Sequence, residues 1–170
     1  MSTSDACARE AAWLSTTAGD SLPFLPASAG GPWVVIAPYV QGAQTRTQAP
    51  AIYVKRGQVR QARPANQRIR PRYAMRLELH WPVLVITPGS SSIAASSAQD
   101  FDDAIEALRA RVTGPLGDKT HGGRFLSAAI DSRGQPDISV DYGDNTVTIK
   151  AAKELTATMT YPIDDFELNA

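Results

Sequence analysis

Two short segments of this chain contain residue types that could bind a phosphate or a metal ion. Residues 114–120 (GPLGDKT) have the glycine, lysine and threonine composition of a phosphate-binding loop. That segment follows a predicted helix instead of a strand, and no predicted helix comes after it to point backbone amides at a phosphate. We therefore expect no nucleotide site there.

The second segment is acidic. Asp100, Asp102 and Asp103 supply carboxylate oxygens, which divalent cations prefer. Successive residues of a helix are rotated by about 100°, so Asp100 and Asp102 diverge. The helix dipole favours acidic residues in the first turn, and this explains the cluster without a metal ion.

The remaining candidates for chemistry are two histidines and one cysteine. His80 lies among the polar positions of a predicted strand, His121 lies in a glycine-rich segment, and neither has a Cys or Glu at zinc-ligand spacing. Cys7, in an alanine-rich predicted helix, is expected to pack as a small apolar residue. No serine has the context of a nucleophile elbow. We expect no enzyme: no catalytic residue, no cofactor and no metal.

The charged residues are sorted along the chain. Residues 21–77 contain nine basic and no acidic residues, residues 78–170 contain fourteen acidic and seven basic ones, and the whole chain is formally neutral. Opposite patches steer association and fix register, so the basic set is a candidate interface. A plainer alternative is that these are solvated side chains on loops and one exposed sheet face. The candidate interface residues are Arg46, Lys55, Arg56, Arg60, Arg63, Arg68, Arg70, Arg72 and Arg76.

Length and composition favour one domain spanning residues 1–170. The chain is 43% hydrophobic, which is enough for one core. A single cysteine excludes an intramolecular disulfide and favours synthesis in a reducing cytoplasm. No apolar run approaches the roughly 18 residues of a membrane span, and no signal-peptide pattern is present.

Hydrophobic periodicity predicts two long elements. A strand over 72–87 follows from strict alternation of apolar and polar residues, with Pro82 near an unpaired edge or a bulge. A helix over 98–112 follows from an apolar stripe, after a flexible Ser-rich loop at 90–97. The strand's buried face is predicted to be Tyr73, Met75, Leu77, Leu79 and Trp81, and the helix stripe to be Phe101, Ile105, Leu108 and Val112.

Shorter elements complete the prediction. A short N-terminal helix is expected at 4–17, and an extended basic loop region at about 41–71 encloses a brief strand at 51–55. The order predicts an α+β fold: a mostly antiparallel twisted sheet with the amphipathic helix packed across one face. The other predicted strands are 33–37, 138–142, 146–149 and a closing strand at 153–165 with Pro162 at an edge or strand end.

The order and texture of the elements in the carboxy-terminal two-thirds resemble the tail terminator proteins of long-tailed bacteriophages, the lambda-type family. There a long strand leads into an apolar run, followed by a loop, an amphipathic helix and a closing strand. The corresponding segments here are residues 73–87, 90–98, 99–112 and 153–165. An N-terminal helix followed by a short strand fits the same order.

The resemblance implies a structural virion protein. Members of that family form a ring, usually of six copies, that caps the finished tail tube and joins it to the head connector. The implied partners are other copies of the chain, the tail tube protein and head–tail connector proteins, with no membrane and no specific nucleic acid. The implied location is the head–tail joint of the virion, after synthesis in the host cytoplasm.

Two other functions stay open at the level of sequence. Head-completion, connector and minor tail proteins share this size and texture. A small nucleic-acid-binding protein could use the basic stretch 46–76, with Tyr53 and Tyr73 nearby, to follow a phosphate backbone. Against the second reading, the net charge is zero and no nucleic-acid-binding motif is present.

Overall fold

In the residues that it describes, the computed structural model contains two helices and six strands. It describes residues 5–15, 33–39, 50–62, 70–83, 91–113, 119–128, 137–141 and 153–165. The helices are α1 (Asp5–Leu14) and α2 (Ser91–Thr113). The strands are β1 (Val35–Pro38), β2 (Ala51–Ala62), β3 (Arg70–Val83), β4 (Ser127–Ala128), β5 (Asp137–Asp141) and β6 (Lys153–Asp164).

The strands form one curled sheet in the order β1-β2-β3-β6-β4, with β5 also paired to β6. Strand β1 runs parallel to β2, and the other pairs are antiparallel. Both helices contribute to the single core cluster formed with the buried face of the sheet. The predicted α+β fold with a mostly antiparallel sheet is confirmed.

Strand β3 has one buried face and one polar face, as its alternation predicted. Tyr73, Met75, Leu77 and Leu79 are buried, and Trp81 is partly buried against the same core. The strand is described to Val83, and the predicted continuation through 84–87 lies outside the described residues. Pairing with β2 ends opposite His80, so Pro82 lies beyond the last described β2 partner and need not donate to that strand.

Strand β6 explains how a proline can occur inside a paired strand. Its predicted buried residues, Leu155, Ala157, Met159, Tyr161 and Ile163, are buried. It has neighbours on both sides, but β5 pairs only up to Thr160 and β4 begins at Ile163. Pro162 lies between these two partners, where no ladder hydrogen bond is required of it on that side.

The helices cover the apolar face of the sheet. The predicted stripe of α2, Phe101, Ile105, Leu108 and Val112, is buried. The Phe101 ring lies 5.7 Å from Trp81, whose ring meets Trp33 edge-on at 5.5 Å. These aromatic contacts join α2, β3 and the residue two positions before β1. Cys7 of helix α1 lies in the core, which confirms its predicted role as a small packing residue. Burial raises the pKa of this thiol.

The start of α2 corrects two predictions. The helix begins at Ser91, so the flexible loop predicted at 90–97 is wrong for residues 91–97. Ser disfavours helix only mildly, and the intervening alanines favour it. Asp100, Asp102 and Asp103 therefore lie beyond the second turn, and the first-turn dipole explanation is wrong. Asp102 and Asp103 are exposed to solvent instead.

The extended basic loop predicted at about 41–71 also needs correction. Residues 51–62 and 70–71 belong to β2 and β3, which pair as an antiparallel hairpin. The register shifts between Arg56 and Val59, and this bulge hides the period-two pattern of β2 from sequence analysis. Residues 41–49 and 63–69, like the predicted strand at 146–149, lie outside the described part of the chain.

Candidate functional site

The polar face of the sheet carries three of the predicted interface residues together. Lys55 lies opposite Arg76 in the β2–β3 ladder. Arg72 lies four residues before Arg76 on β3, and therefore on the same face of the sheet. The exposed fractions of the three side chains are 33% for Lys55, 46% for Arg72 and 51% for Arg76. These residues form the outer face of the molecule in this region.

These basic side chains are paired within the chain. Lys55 Nζ lies 2.5 Å from Glu78 Oε2, and Arg76 Nε lies 3.5 Å from the other oxygen of Glu78. Arg72 Nε lies 3.1 Å from Asp164 Oδ1, directly across the β3–β6 ladder. Their acidic partners come from the acidic carboxy-terminal half, so part of the charge sorting is satisfied inside one subunit. Exposed pairs of this kind contribute at most about 1 kcal/mol each.

Of the other six predicted interface residues, two are placed by their partners in the strand ladder, one is exposed, and three lie outside the described residues. Arg60 lies opposite Arg72, and Arg70 lies opposite Ala62, at the end of the β2–β3 hairpin where residues 63–69 connect the two strands. Arg56 is exposed. The last three, Arg46, Arg63 and Arg68, lie outside the described residues.

Charge is divided between the two halves of the sheet. Strands β1, β2 and β3 together contain six basic residues and one acidic residue. Strands β4, β5 and β6 contain four acidic residues and one basic residue. The two groups of strands meet at the β3–β6 pair, and the charged residues lie on β2, β3, β5 and β6, because β1 and β4 contain none.

A second polar region is buried between α1, α2, β6 and the turn at 119–125. Glu10 and His121 are both fully buried. His121 Nδ1 lies 3.0 Å from Glu10 Oε2, and Nε2 lies 3.0 Å from the carbonyl oxygen of Val112. The Tyr161 hydroxyl donates to Glu10 Oε1. We refer to Glu10, His121 and Tyr161 as the buried triad.

Each polar side-chain atom of the buried triad has a hydrogen-bond partner. Nε2 of His121 faces a carbonyl oxygen and therefore donates to it. One proton lies between Nδ1 of His121 and Oε2 of Glu10 and makes the hydrogen bond that joins them. Burial, and then the Glu10 carboxylate, raise the pKa of the Tyr161 hydroxyl well above its ordinary value. The triad is thus satisfied internally, as buried polar groups must be.

Local backbone geometry explains how His121 reaches this position. His121, Gly122 and Gly123 have φ values of 49°, 69° and 76°, a run of left-handed residues. Glycine adopts positive φ values without a steric penalty, so Gly122 and Gly123 permit this run. The backbone amides of Arg124 and Phe125 both donate to the Thr120 carbonyl oxygen and close the turn. His121 then stacks on Trp13, with ring centroids 3.7 Å apart and planes 6° from parallel.

An adjacent cluster extends the same contact to the end of β6. Arg9 forms a bidentate pair with Asp165, at 3.0 and 2.5 Å, and also donates to the carbonyl oxygen of Arg124. The Tyr73 hydroxyl donates to Asp165 at 2.8 Å. Burial, followed by this bond to Asp165, raises the pKa of Tyr73 far above 10.0. Arg111, fully buried, donates to the carbonyl oxygen of Trp13.

Together these contacts fasten α1 to β6, α2 and the 119–125 turn. Histidine, carboxylate and hydroxyl groups are the usual materials of acid–base catalysis, but here their polar atoms face one another in the core. Sequence analysis missed this region, because it interpreted His121 only as a loop residue and did not consider Glu10. One signal was present: Glu10 lies three residues after Cys7 and four before Leu14, on the apolar stripe of α1.

Further observations limit the kinds of site. Across the described residues, no group of three or more His, Cys, Asp or Glu side chains is arranged to hold a metal ion. Neither α1 nor α2 is long and apolar enough to cross a bilayer. No protein-family model matches the chain, and no curated protein matches it either.

Proposed function

We propose that the protein is a structural protein of a long-tailed bacteriophage, which forms a ring at the end of the tail tube and joins the tail to the head connector. The observation that carries this proposal is the division of charge across the sheet. A ring of identical copies needs two different, complementary surfaces on each copy. The basic residues of β2 and β3 and the acidic residues of β5 and β6 supply such a pair.

The arrangement of the elements also supports the proposal. The resemblance to tail terminators rests on a long strand, an amphipathic helix and a closing strand in that order. In this fold β3 is the long central strand, α2 packs on it, and β6 returns antiparallel beside β3 along twelve residue pairs. A continuous β3–β6 pair of that length gives a rigid base for surfaces that must keep their geometry in a ring.

The state of the polar groups favours a role in binding over one in chemistry. The buried triad and the Arg9–Asp165 pair are satisfied within the core. The exposed charges lie on a broad sheet face in weak pairs. Weak exposed pairs can exchange partners at low cost when a second molecule approaches, because water already screens them.

Disruption of the gene in the virus that encodes it tests this function. We expect filled heads and separate tails of irregular length in electron micrographs, since nothing then stops polymerisation of the tail tube. Supplying the wild-type chain from a plasmid should restore joined particles with tails of uniform length. Joined particles with uniform tails in the absence of the gene would overturn the proposal.

A nucleic-acid-binding function remains the second candidate, favoured by one observation. Arg60 lies directly opposite Arg72 in the β2–β3 ladder, and like charges at such positions are more stable near an anion. If this is the function, the purified protein should retard random duplex DNA, with affinity that falls steeply as salt rises. We expect weak retardation or none, because Arg72 already has a carboxylate partner.

A further inference from the structure

The outer face of the sheet is the side that lies away from the two described helices. Both helices place their buried residues in the core on the other side, together with Leu77 and Leu79 of β3. Arg76 alternates with Leu77 along β3, so it lies on the outer side, and Lys55 is its partner in the β2–β3 ladder. A sheet with helices on one face can receive a second layer on the other.

This outer face has more positive charge than its own carboxylates balance. Lys55 and Arg76 share the single carboxylate of Glu78. The Arg76–Glu78 contact, at 3.5 Å, is longer than the roughly 2.7–2.9 Å of a charge-assisted hydrogen bond. A guanidinium has several N–H donors, and Arg76 is half exposed, so it can bind a second carboxylate without losing the first.

Helix α2 has an acidic surface on the side that faces away from the sheet. The helix contains four acidic and two basic residues, and one of the basic residues, Arg111, is fully buried. Successive residues are rotated by about 100°, so Asp103 and Glu106 lie opposite the buried stripe. Glu106 is 61% exposed and pairs with Arg109, whereas Asp103 is exposed and has no ion pair within the described part of the chain.

The basic and acidic surfaces lie on opposite sides of the molecule. Helix α2 packs on the inner face of the sheet and directs its acidic side away from it, while Lys55 and Arg76 lie on the outer face. Complementary surfaces on opposite sides join copies head to tail, because each copy uses one surface of each kind. Strand β6 is a weaker source of the acidic surface, since its described carboxylate, Asp164, is already bonded to Arg72 and Ser127.

We infer that the outer face of β2 and β3 in one copy binds the acidic side of α2 in a second copy, with Arg76 of the first against Asp103 of the second. This inference rests on the self-association in the proposed function and names the surfaces that carry it. Opposite charges favour this pairing and fix its orientation. Two copies that met through the same surface would instead bring like charges together.

Reciprocal charge reversal tests the pairing in the full chain. The variants are Arg76→Glu, Asp103→Lys and the two changes in one chain, and sedimentation velocity measures self-association over a range of concentrations at low salt. We expect the wild type to associate, and less so as salt rises. Each single reversal should weaken association by at least about tenfold, because it places like charges opposite each other.

Two further samples should recover what the single reversals lose. The double variant re-forms the pair with its charges exchanged, so its association should return to within about threefold of the wild type. An equimolar mixture of Arg76→Glu and Asp103→Lys should also associate, because each variant supplies the surface that matches the altered surface of the other.

Arg56→Glu is the matched control. Arg56 is exposed, but it lies opposite Met75 in the ladder and therefore on the other face of the sheet from Arg76. The variant makes the same change in net charge as Arg76→Glu, and it should alter association by less than about threefold. Thermal unfolding of every variant checks that the fold is retained.

Recovery in the double variant and in the mixture supports the pairing. Single variants that associate like the wild type overturn it, as does a folded double variant that associates no better than the singles. An Arg56→Glu variant as weak as Arg76→Glu also overturns it, because net charge would then explain the loss. In these cases self-association through another surface stands, whereas a wild type that stays monomeric at low salt counts against both proposals. The tail phenotype tests the viral function independently.

Discussion

The buried triad and the outer sheet face contain the same kinds of polar residue but have different roles. In the triad, Glu10 and His121 are fully buried and each polar atom has a fixed partner. On the outer face, Arg72 and Asp164 form their pair while 46% and 31% exposed. Burial makes an unmatched polar group costly, so the triad fixes the structure. Exposure makes partners replaceable, so the outer face can serve binding.

The sharpest way to test this contrast is to bury a charge without the partners that Glu10 has. Leu79→Asp puts a carboxylate on the fully buried face of β3. We expect no soluble folded protein, because an isolated buried carboxylate costs more than the roughly 5–15 kcal/mol of a typical domain's stability. Circular dichroism and the soluble yield measure the effect. His80→Asp, one residue along on the polar face, is the matched control, and its folding should survive. Wild-type melting of Leu79→Asp would show that the buried face is wrongly assigned.

Removal of the triad's central carboxylate should have the next largest effect. Glu10→Ala leaves the Nδ1 atom of His121 and the hydroxyl of Tyr161 buried without their hydrogen-bond partner. We expect the free energy of unfolding to fall by about 3–5 kcal/mol, as when one partner of a buried pair is removed. Urea denaturation measures it. Glu106→Ala removes an exposed carboxylate on α2 and should cost under about 1 kcal/mol. Equal losses in the two variants would contradict the contrast.

High pH should lower the free energy of unfolding through two buried tyrosines. Tyr73 and Tyr161 have folded-state pKa values raised above the ordinary 10.0, chiefly by burial. Above pH 10 the unfolded chain therefore releases protons that the folded chain retains. The free energy of unfolding should decrease by about 1.4 kcal/mol per pH unit for each of the two tyrosines as pH rises through and beyond 10.

Denaturation at several alkaline pH values checks this slope, and ultraviolet absorbance follows ionisation of the tyrosines. Tyr73→Phe should be less stable at neutral pH, because Asp165 loses a donor. Its stability should nevertheless decline less steeply above pH 10 by about 1.4 kcal/mol per unit. An unchanged slope would mean that Tyr73 ionises in the folded protein.

The smallest effect is expected on the outer face. Arg72→Ala removes the cross-strand pair with Asp164. We expect the free energy of unfolding to change by less than about 1 kcal/mol, because the pair is exposed and screened. The same variant should weaken self-association if the basic half of the sheet is an interface. Urea denaturation and light scattering at low and high salt measure the two quantities separately. A loss of several kcal/mol would mean that this pair behaves like the buried ones.

The sequence predicted the elements whose pattern is local. Alternation in β3 and β6 and the stripe of α2 could be read directly, because one face of each element is buried. The second half of β2 could not be recognised, because the bulge after Arg56 breaks its period. The buried triad was out of reach for a different reason: its hydrogen bonds join residues 111 and 151 positions apart, and no local pattern encodes such contacts.

These long separations also bear on how the chain acquires its structure. Tyr161 and Asp165, two of the residues that hold helix α1, follow their partners Glu10 and Arg9 by 151 and 156 positions and are synthesised long after them. Contacts of this range close slowly, because the chain loses much entropy before they form. During translation α1 therefore lacks these hydrogen bonds until β6 leaves the ribosome. A chain interrupted before residue 161 would expose the apolar stripe of α1, which is a surface that cellular quality control can detect and remove.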